Sequence, residues 1–494
     1  MNVLLINVPS RSGRGGKVLP LGLLYVGGII ERTSHSVNIV DPYNKDPELT
    51  SFDNGDYSEI DKTIIQFHPK IIGFGGIASS YGRTKKISEY IHRKYPDILQ
   101  IAGGPLASVY DLLLTNTYVN LVFHGETENT FPQFLEKIER EEAWQGIDGT
   151  SYRNGDRIIR NPLSKPIENL DIVPIPPYHL VNLEEYSTSI SSVLDTFATE
   201  INSNFNDEFT HKLNSFGGSL IPIITSRGCT NKCSFCYRHM NGYRQHSVSY
   251  VVDHIKFLHE HYGIKGFDFA DELFNYNKQW VIDFCNALDQ ENLDIIYRIL
   301  GARVDRIDKE MLQRLKDTGC IYIAYGQESG SDLILKEYKK GVTSQKNKEI
   351  TILTTGCGLI CPVQIVIGSP GETQKTINET INFLIEINAG TPSLNYLLPF
   401  PETPIWRYIQ EKRLIVNVET YLDAVAEFGG GPIVNLTSVS QCKWKNWGAQ
   451  IQYEVKLNNH RRNGQYFHYV VLFPVIKLLN FLRPYAPNVF LGWR

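Results

Sequence analysis

Twice along this chain, short apolar runs alternate with amphipathic stretches, and this alternation restricts the fold more than any other feature of the sequence. The first series runs through Val3–Val8, a helix near 21–32, Val37–Asp41, a helix near 59–67, Ile71–Gly75, a helix near 83–95, Ile98–Gly103, Leu121–His124 and a helix near 130–140. The second takes in Ile221–Ser226, Gly266–Ala270, Ile295–Arg303, Ile321–Glu328, Cys361–Gly368 and Ser393–Phe400, with helices near 248–262, 276–289, 308–318, 343–355 and 373–387. Parallel strands need a crossover between neighbours and a helix supplies it, so this period predicts two parallel α/β sheets. The first series predicts a doubly wound sheet over residues 1–145, and the six units of the second predict an open (βα)6 partial barrel over 221–400. A chain of 494 residues has room for both, since single cores stop growing at about 250–300 residues.

Residues 146–220 read as a connector: a hairpin around Asn154-Gly155, then Pro174-Ile175-Pro176-Pro177, whose prolines exclude a helix and favour a stiff extended crossing. The stretch 190–218 has little period and reads as a long loop or insertion. From 401 to 494 the alternation gives way to a mainly helical region, entered through Pro401-Glu402-Thr403-Pro404-Ile405-Trp406 and broken at Gly429-Gly430-Gly431-Pro432. Its most apolar stretch, Tyr469–Leu482, contains Pro474 and Lys477 and falls short of the ~18–20 uninterrupted apolar residues of a membrane span. It reads as a docking face on the barrel. Met1–Pro9 has no basic start and no cleavage-like site, and reads as a strand, not a signal.

In parallel sheets, ligands bind beyond the carboxyl ends of the strands. After the first strand of the second series comes Cys229-Thr230-Asn231-Lys232-Cys233-Ser234-Phe235-Cys236, three cysteines within eight residues. Three thiolates on one metal centre leave a coordination position open, where a small molecule can be bound and activated; the other use of such a set is a closed zinc site completed by His239 or a distant cysteine. In the first series Gly75-Gly76, Ser79-Ser80, Gly103-Gly104 and Gly125-Glu126-Thr127-Glu128 all fall at strand ends, either as tight turns or as room for a ligand against the backbone. The remaining cysteines (Cys285, Cys320, Cys357, Cys361, Cys442) are scattered, a usage that suits a reducing cytosol and places the protein in the cytoplasm. A net charge of −4 without a basic run argues against nucleic acid as a partner.

The triplet's spacing, the aromatic Phe235 before its third cysteine and Ser226-Arg227-Gly228 before its first resemble the cluster loop of radical S-adenosylmethionine (SAM) enzymes. The first ~145 residues resemble the flavodoxin-like cobalamin (B12)-binding domain that precedes many radical SAM domains, through Pro20–Tyr25, Asp41, Ser79-Ser80, Gly103-Gly104 and Gly125–Glu128. The Asp-x-His-x-x-Gly motif that supplies a lower axial histidine in many B12 proteins is missing. The resemblance implies a 4Fe–4S cluster on Cys229, Cys233 and Cys236, SAM on its open iron, and cobalamin beside Gly75, Gly76, Ser79, Gly103, Gly104, Gly125 and Glu126, with no protein ligand below the cobalt. For SAM it implies contacts from Phe235, Asp271, Arg303, Gly326, Glu328 and Gly368: Gly326-Gln327-Glu328-Ser329 resembles the family's Gly-x-Glu-Ser segment, Asp271–Phe274 its acidic strand end, and Gly368–Thr373 its Gly-x-Pro-Gly-Glu-Thr turn. Glu372-Thr373 has the further use of capping the next helix.

The activity so implied is reductive cleavage of SAM and methyl transfer through cobalamin to an unactivated carbon of a small metabolite, with an external one-electron reductant of the flavodoxin or ferredoxin type. A radical cyclase or rearrangement catalyst without methyl transfer is the alternative within the family, and a zinc-stabilised binding protein the alternative outside it.

Overall fold

The computed structural model describes residues 1–10, 18–42, 50–186, 188–189, 218–238, 240, 242–428 and 431–462. Within the first series the strands are β1 (Asn2–Asn7), β2 (Ser36–Val40), β3 (Ile71–Gly75), β4 (Leu99–Gly103) and β5 (Leu121–Phe123), parallel in the order β2-β1-β3-β4-β5. Successive residues of each strand serve opposite faces: Val3, Leu5, Ile71 and Ile101 enter one core and Leu4, Ile6, Ile72 and Phe74 the other. Helices cover both faces, which is why these strands read as unbroken apolar runs. The hairpin expected in the connector, β6 (Thr150–Asn154) and β7 (Arg157–Arg160), instead pairs antiparallel along β5 and completes the first sheet. Local pattern gives a hairpin but not the edge it joins.

The proline crossing lies along the helix Leu21–Glu31, where Gly27 and Gly28 leave space filled by Leu180, Pro174 and Pro177. Beyond it Tyr178 is fully buried, and its hydroxyl meets His254 Nε2 at 2.8 Å on the helix Val248–Tyr262. The connector thus joins the two units through packing as well as through the chain.

The second sheet holds β9 (Ser219–Ile223), β12 (Gly266–Phe269), β13 (Ile296–Ala302), β14 (Cys320–Glu328), β15 (Val363–Ile367) and β16 (Ser393–Tyr396), six parallel strands in chain order. A short β8 (Thr188–Ser189), absent from the sequence expectation, pairs antiparallel with β9 at the open edge. Side-chain caps start the intervening helices: Ser247 accepts from the Tyr250 amide, Asn277 from Trp280, Asp308 from Met311 and Thr373 from Thr376. Of the expected pair Glu372-Thr373, only Thr373 caps. The glutamate takes another role described below.

After β16 the helices Pro404–Glu411 and Val418–Phe428 return to the first unit, where Glu419 accepts hydrogen bonds from Tyr81, Lys85 and Asn116. The helix Gln441–Arg462 packs Trp444, Trp447, Ile451 and Val455 on the outer side of β15 and the helix Gln374–Glu386. Among the described residues no helix is long and apolar enough to cross a membrane. Tyr469–Leu482, Gly429-Gly430 and nearly all of the stretch 190–218 lie outside the described residues.

Candidate active site

The cysteine loop is built from β9 outward. Asp271, at the end of β12, accepts hydrogen bonds from the backbone amides and hydroxyls of Thr225 and Ser226. Burial pushes its carboxyl up to about 6 despite those donors. Next, β10 (Ser226–Arg227) pairs with β11 (Arg244–Gln245) and closes the base of the loop. Gly228 sits in the neck at φ +82°, where a Cβ would lie 2.4 Å from the Gly242 carbonyl oxygen, so no other residue fits. From above, Ser234 donates through its amide to Tyr338 O and through its hydroxyl to Glu337 O, Asn231 donates to Lys340 O, and the Ile405 amide donates to Ser234 O. The loop is thereby fixed to the segment after β14 and to the helix that follows the barrel.

Cys233 is buried, Cys229 half-buried and Cys236 exposed. Burial pushes the Cys233 thiol up; Lys340 counters this, Glu328 adds to it, Arg303 counters and Cys229 adds. The charges of Lys340, Glu328, Arg303 and Cys229 thus all act on Cys233. Two cations there offset the charge that bound thiolates would carry. His239, the ligand of the zinc alternative, lies outside the described residues. Among the described residues no three His, Cys, Asp or Glu side chains are drawn together tightly enough to hold a metal ion, so the thiols are grouped by their common loop.

Of the residues expected at SAM, Glu328 and Arg303 stand beside the loop. Glu328 accepts from Lys340 Nζ at 2.9 Å, and Gly326 leaves the space that both side chains occupy. Arg303 makes a two-pronged contact with Asp305 at 2.7 and 2.8 Å and donates to Lys340 O. The others have structural partners. Asp271 is used up in holding Thr225 and Ser226, and Phe235 packs edge-on against Tyr338 with centroids 5.0 Å apart. Gly368 leaves room for the Trp444 indole and donates its amide to Glu372, whose buried carboxyl is raised to about 7 by burial.

The carboxyl ends of the two sheets face a common cavity of about 570 Å³. Gly75, Gly76, Gly103, Gly104, Gly125 and Glu126 line it from the first sheet, and Ser226, Arg227, Gly228, Met240 and Glu272 from the second. Gly104 and Gly125 are open, with nothing nearer than 3.9 Å to a Cβ on the first and nothing within 4 Å of the second. The space at Gly75 and Gly76 is filled instead by Leu23 at 2.5 Å and Ser80 at 2.8 Å, so these two glycines serve packing. Ser79 is buried with its hydroxyl unpartnered, and so is the hydroxyl of Tyr25, which lines the cavity. Open glycines, an orphaned hydroxyl and, among the described residues, a lining without histidine fit a wide, planar, amide-bearing ring.

Glu126, expected against the cofactor, lines the cavity and also ties the sheets together. Its carboxylate meets Arg227 at 3.1 Å, Arg244 at 2.8 Å and the Ile167 amide at 2.7 Å, and Glu128 meets Arg227 at 2.6 Å. Burial opposes the charge, yet Arg244, the Ile167 amide and Arg227 together hold the Glu126 carboxyl below its ordinary range. Arg227 and Arg244 lie on the two strands that close the cysteine loop, so one carboxylate couples a loop of the first sheet to the base of the other. Sequence reasoning missed Lys340 and Arg244, because no local spacing marks them.

Residues 223–384 match the radical SAM superfamily, and residues 12–135 match the B12 binding domain. An uncharacterized methyltransferase of Pyrococcus horikoshii is 27% identical over 427 residues, covering 85% of each chain. The anaerobic magnesium-protoporphyrin IX monomethyl ester cyclase of Synechocystis is 23% identical, over 86% of this chain and 80% of that one. A radical S-adenosylmethionine methyltransferase from Kitasatospora setae, solved with cobalamin and a 4Fe–4S cluster bound, shares the fold with a TM-score of 0.63 at 19% identity, over 83% of this chain and 75% of that one.

Proposed function

The chain belongs to the B12-dependent radical SAM family, with an N-terminal B12-binding domain and the cofactors a 4Fe–4S cluster, SAM and cobalamin, and on that premise we propose that it methylates a carbon of a small-molecule metabolite. The observation that carries the proposal is the cavity lined by the open glycines of the first sheet and by Arg227 and Gly228, which lead directly into the cysteine loop of the second. A methyl carrier and a radical-forming centre that act on one carbon must share such a space. When bound, the cluster supplies an electron for reductive cleavage of SAM, and cobalamin supplies a carrier for the methyl group. The electron comes from an external donor of the flavodoxin or ferredoxin type.

In this reading Cys229, Cys233 and Cys236 hold the cluster, while Glu328 accepts a hydrogen bond from the SAM ammonium or ribose and Lys340 balances its charge in the absence of ligand. Gly104 and Gly125 admit the corrin, Asp271 positions the entry to the cysteine loop, and the buried ion pairs around Glu126 hold the cavity walls together. Methyl transfer is further supported by the names of relatives, the Pyrococcus horikoshii methyltransferase and the cytidylyl-2-hydroxyethylphosphonate methyltransferase of Streptomyces wedmorensis among them. The Synechocystis cyclase supports the second reading, a radical cyclisation without methyl transfer. Incubation of reconstituted protein with methyl-labelled SAM and a metabolite extract distinguishes them: label in a product other than methionine is expected, and product formation without label would replace methylation by cyclisation.

A further inference from the structure

A second and larger cavity, about 710 Å³, adjoins the first and shares Gly125, Glu126 and Met240 with it. Three parts of the chain meet there: the end of the first sheet, Tyr237 and Arg238 directly after Cys236, and the turn Pro401–Trp406 after β16.

The balance of charge in its lining is uneven. Glu126 is already answered by Arg227 and Arg244, and Arg160 is paired with Glu402 at 2.7 Å. Arg238 and Arg407 make no hydrogen bond or ion pair among the described residues; Asp111 faces them within this lining, and the Arg238 charge also acts on Glu272 of the adjoining cavity. Glu402 lies at φ +64°, in the left-handed region that favours glycine, so its presence is explained by what its side chain does. It fixes Arg160, whose guanidinium lies 4.8 Å from the centroid of the Tyr110 ring, as one rigid edge of the cavity. Two guanidiniums that no carboxylate holds by a hydrogen bond, beside the apolar faces of Trp406 and Met240, make a place for a molecule with an anionic end and an apolar body.

The geometry points to this cavity as the substrate site, with Arg238 and Arg407 taking the anionic group, a phosphate monoester or a carboxylate, of a small molecule. As the methyl acceptor of the reaction proposed above, on which this assignment rests, such a molecule would lie against Met240, one of the three residues common to both cavities. No signal in the cysteine motif announces Arg238, and Arg407 stands in a region without a recognisable motif.

Equilibrium dialysis on the full chain, reconstituted with iron, sulfide and hydroxocobalamin, tests this with phenyl phosphate, benzoate and benzyl alcohol as probes. An anion should bind and benzyl alcohol should not, and the tighter of the two anions identifies phosphate or carboxylate. Arg238→Gln and Arg407→Gln should each weaken that binding about tenfold or more, and Lys412→Gln, at the C-cap of the helix that carries Arg407, should not. Arg407 is exposed on its helix, so its variant carries the test even where replacing Arg238 disturbs the loop. Equal binding of all three probes, or unchanged anion affinity in the Arg407 variant, would overturn the assignment. Reductive cleavage of SAM by the wild-type protein, measured separately, probes the underlying reading: cleavage without anion binding removes the subsite alone, and no cleavage removes the reading beneath it.

Discussion

Replacing Glu126 by Gln tests the coupling between the sheets. The variant keeps the size and one hydrogen-bonding oxygen but leaves Arg227 and Arg244, whose side chains are 12% and 15% exposed, without the charge between them. Breaking a buried pair by removing one partner costs about 3–5 kcal/mol. Arg227 retains Glu128 at 2.6 Å and Arg244 retains the Ile167 carbonyl, so the expected loss is about 2–3 kcal/mol. Urea unfolding followed by tryptophan fluorescence measures it, with the exposed Glu136→Gln as control. The pH dependence supplies a second signature. Because the folded-state pKa of Glu126 is lowered, its contribution is complete above the ordinary glutamate value and is lost as pH falls through the folded-state value. Wild type and variant should therefore converge in stability in acid and separate towards neutral pH. A loss below about 0.5 kcal/mol, no greater than that of a typical surface substitution, would show that the pairs do not hold the two sheets together.

Each of Cys229→Ala, Cys233→Ala and Cys236→Ala should lose iron and SAM cleavage together, measured by iron assay and product chromatography; a variant that kept a full complement of both would disprove the ligand assignment. Glu328→Gln should keep its iron but bind SAM more weakly by roughly 1.5–3 kcal/mol, read by calorimetry, and unchanged affinity would remove it from the site. Asp271, with a folded-state pKa raised to about 6, binds its proton more tightly when folded, so stability should fall as pH rises from about 4 to about 6. Asp271→Asn should flatten that slope, and an identical profile in both proteins would refute it. Gly104→Val should abolish co-elution of hydroxocobalamin on gel filtration while iron content stays, and the cob(II)alamin spectrum of the wild type should lack nitrogen superhyperfine splitting; retained corrinoid in the variant would place the ring elsewhere.

The strands and helices were legible because each is specified by its own residues: Val3–Ile6 and Ile71–Phe74 are apolar on both faces, and Thr373 announces a helix start. The cysteine loop was legible for the same reason, since its three thiols lie within one short segment. What the sequence hid depends on partners far along the chain. Glu126 follows a strand and lines the cavity, but its partners Arg227 and Arg244 reach it from more than a hundred residues away. Asp271 has the right position for a ligand but lies opposite the amides of Thr225 and Ser226. Gly75 and Gly76 resemble Gly104 and Gly125 in sequence context, and only the placement of Leu23 and Ser80 separates filled from open.

The shared wall of the first cavity bears on how such a chain can be recombined. A chimaera that took its first 160 residues from a relative would rebuild both sheets, since each is specified by its own local pattern. It would inherit the charge match of Glu126 and Glu128 with Arg227 and Arg244 only if donor and recipient carried it alike. The two modules are therefore heritable as folds separately but as a site only jointly, and substitutions at these four positions should be exchanged as a set.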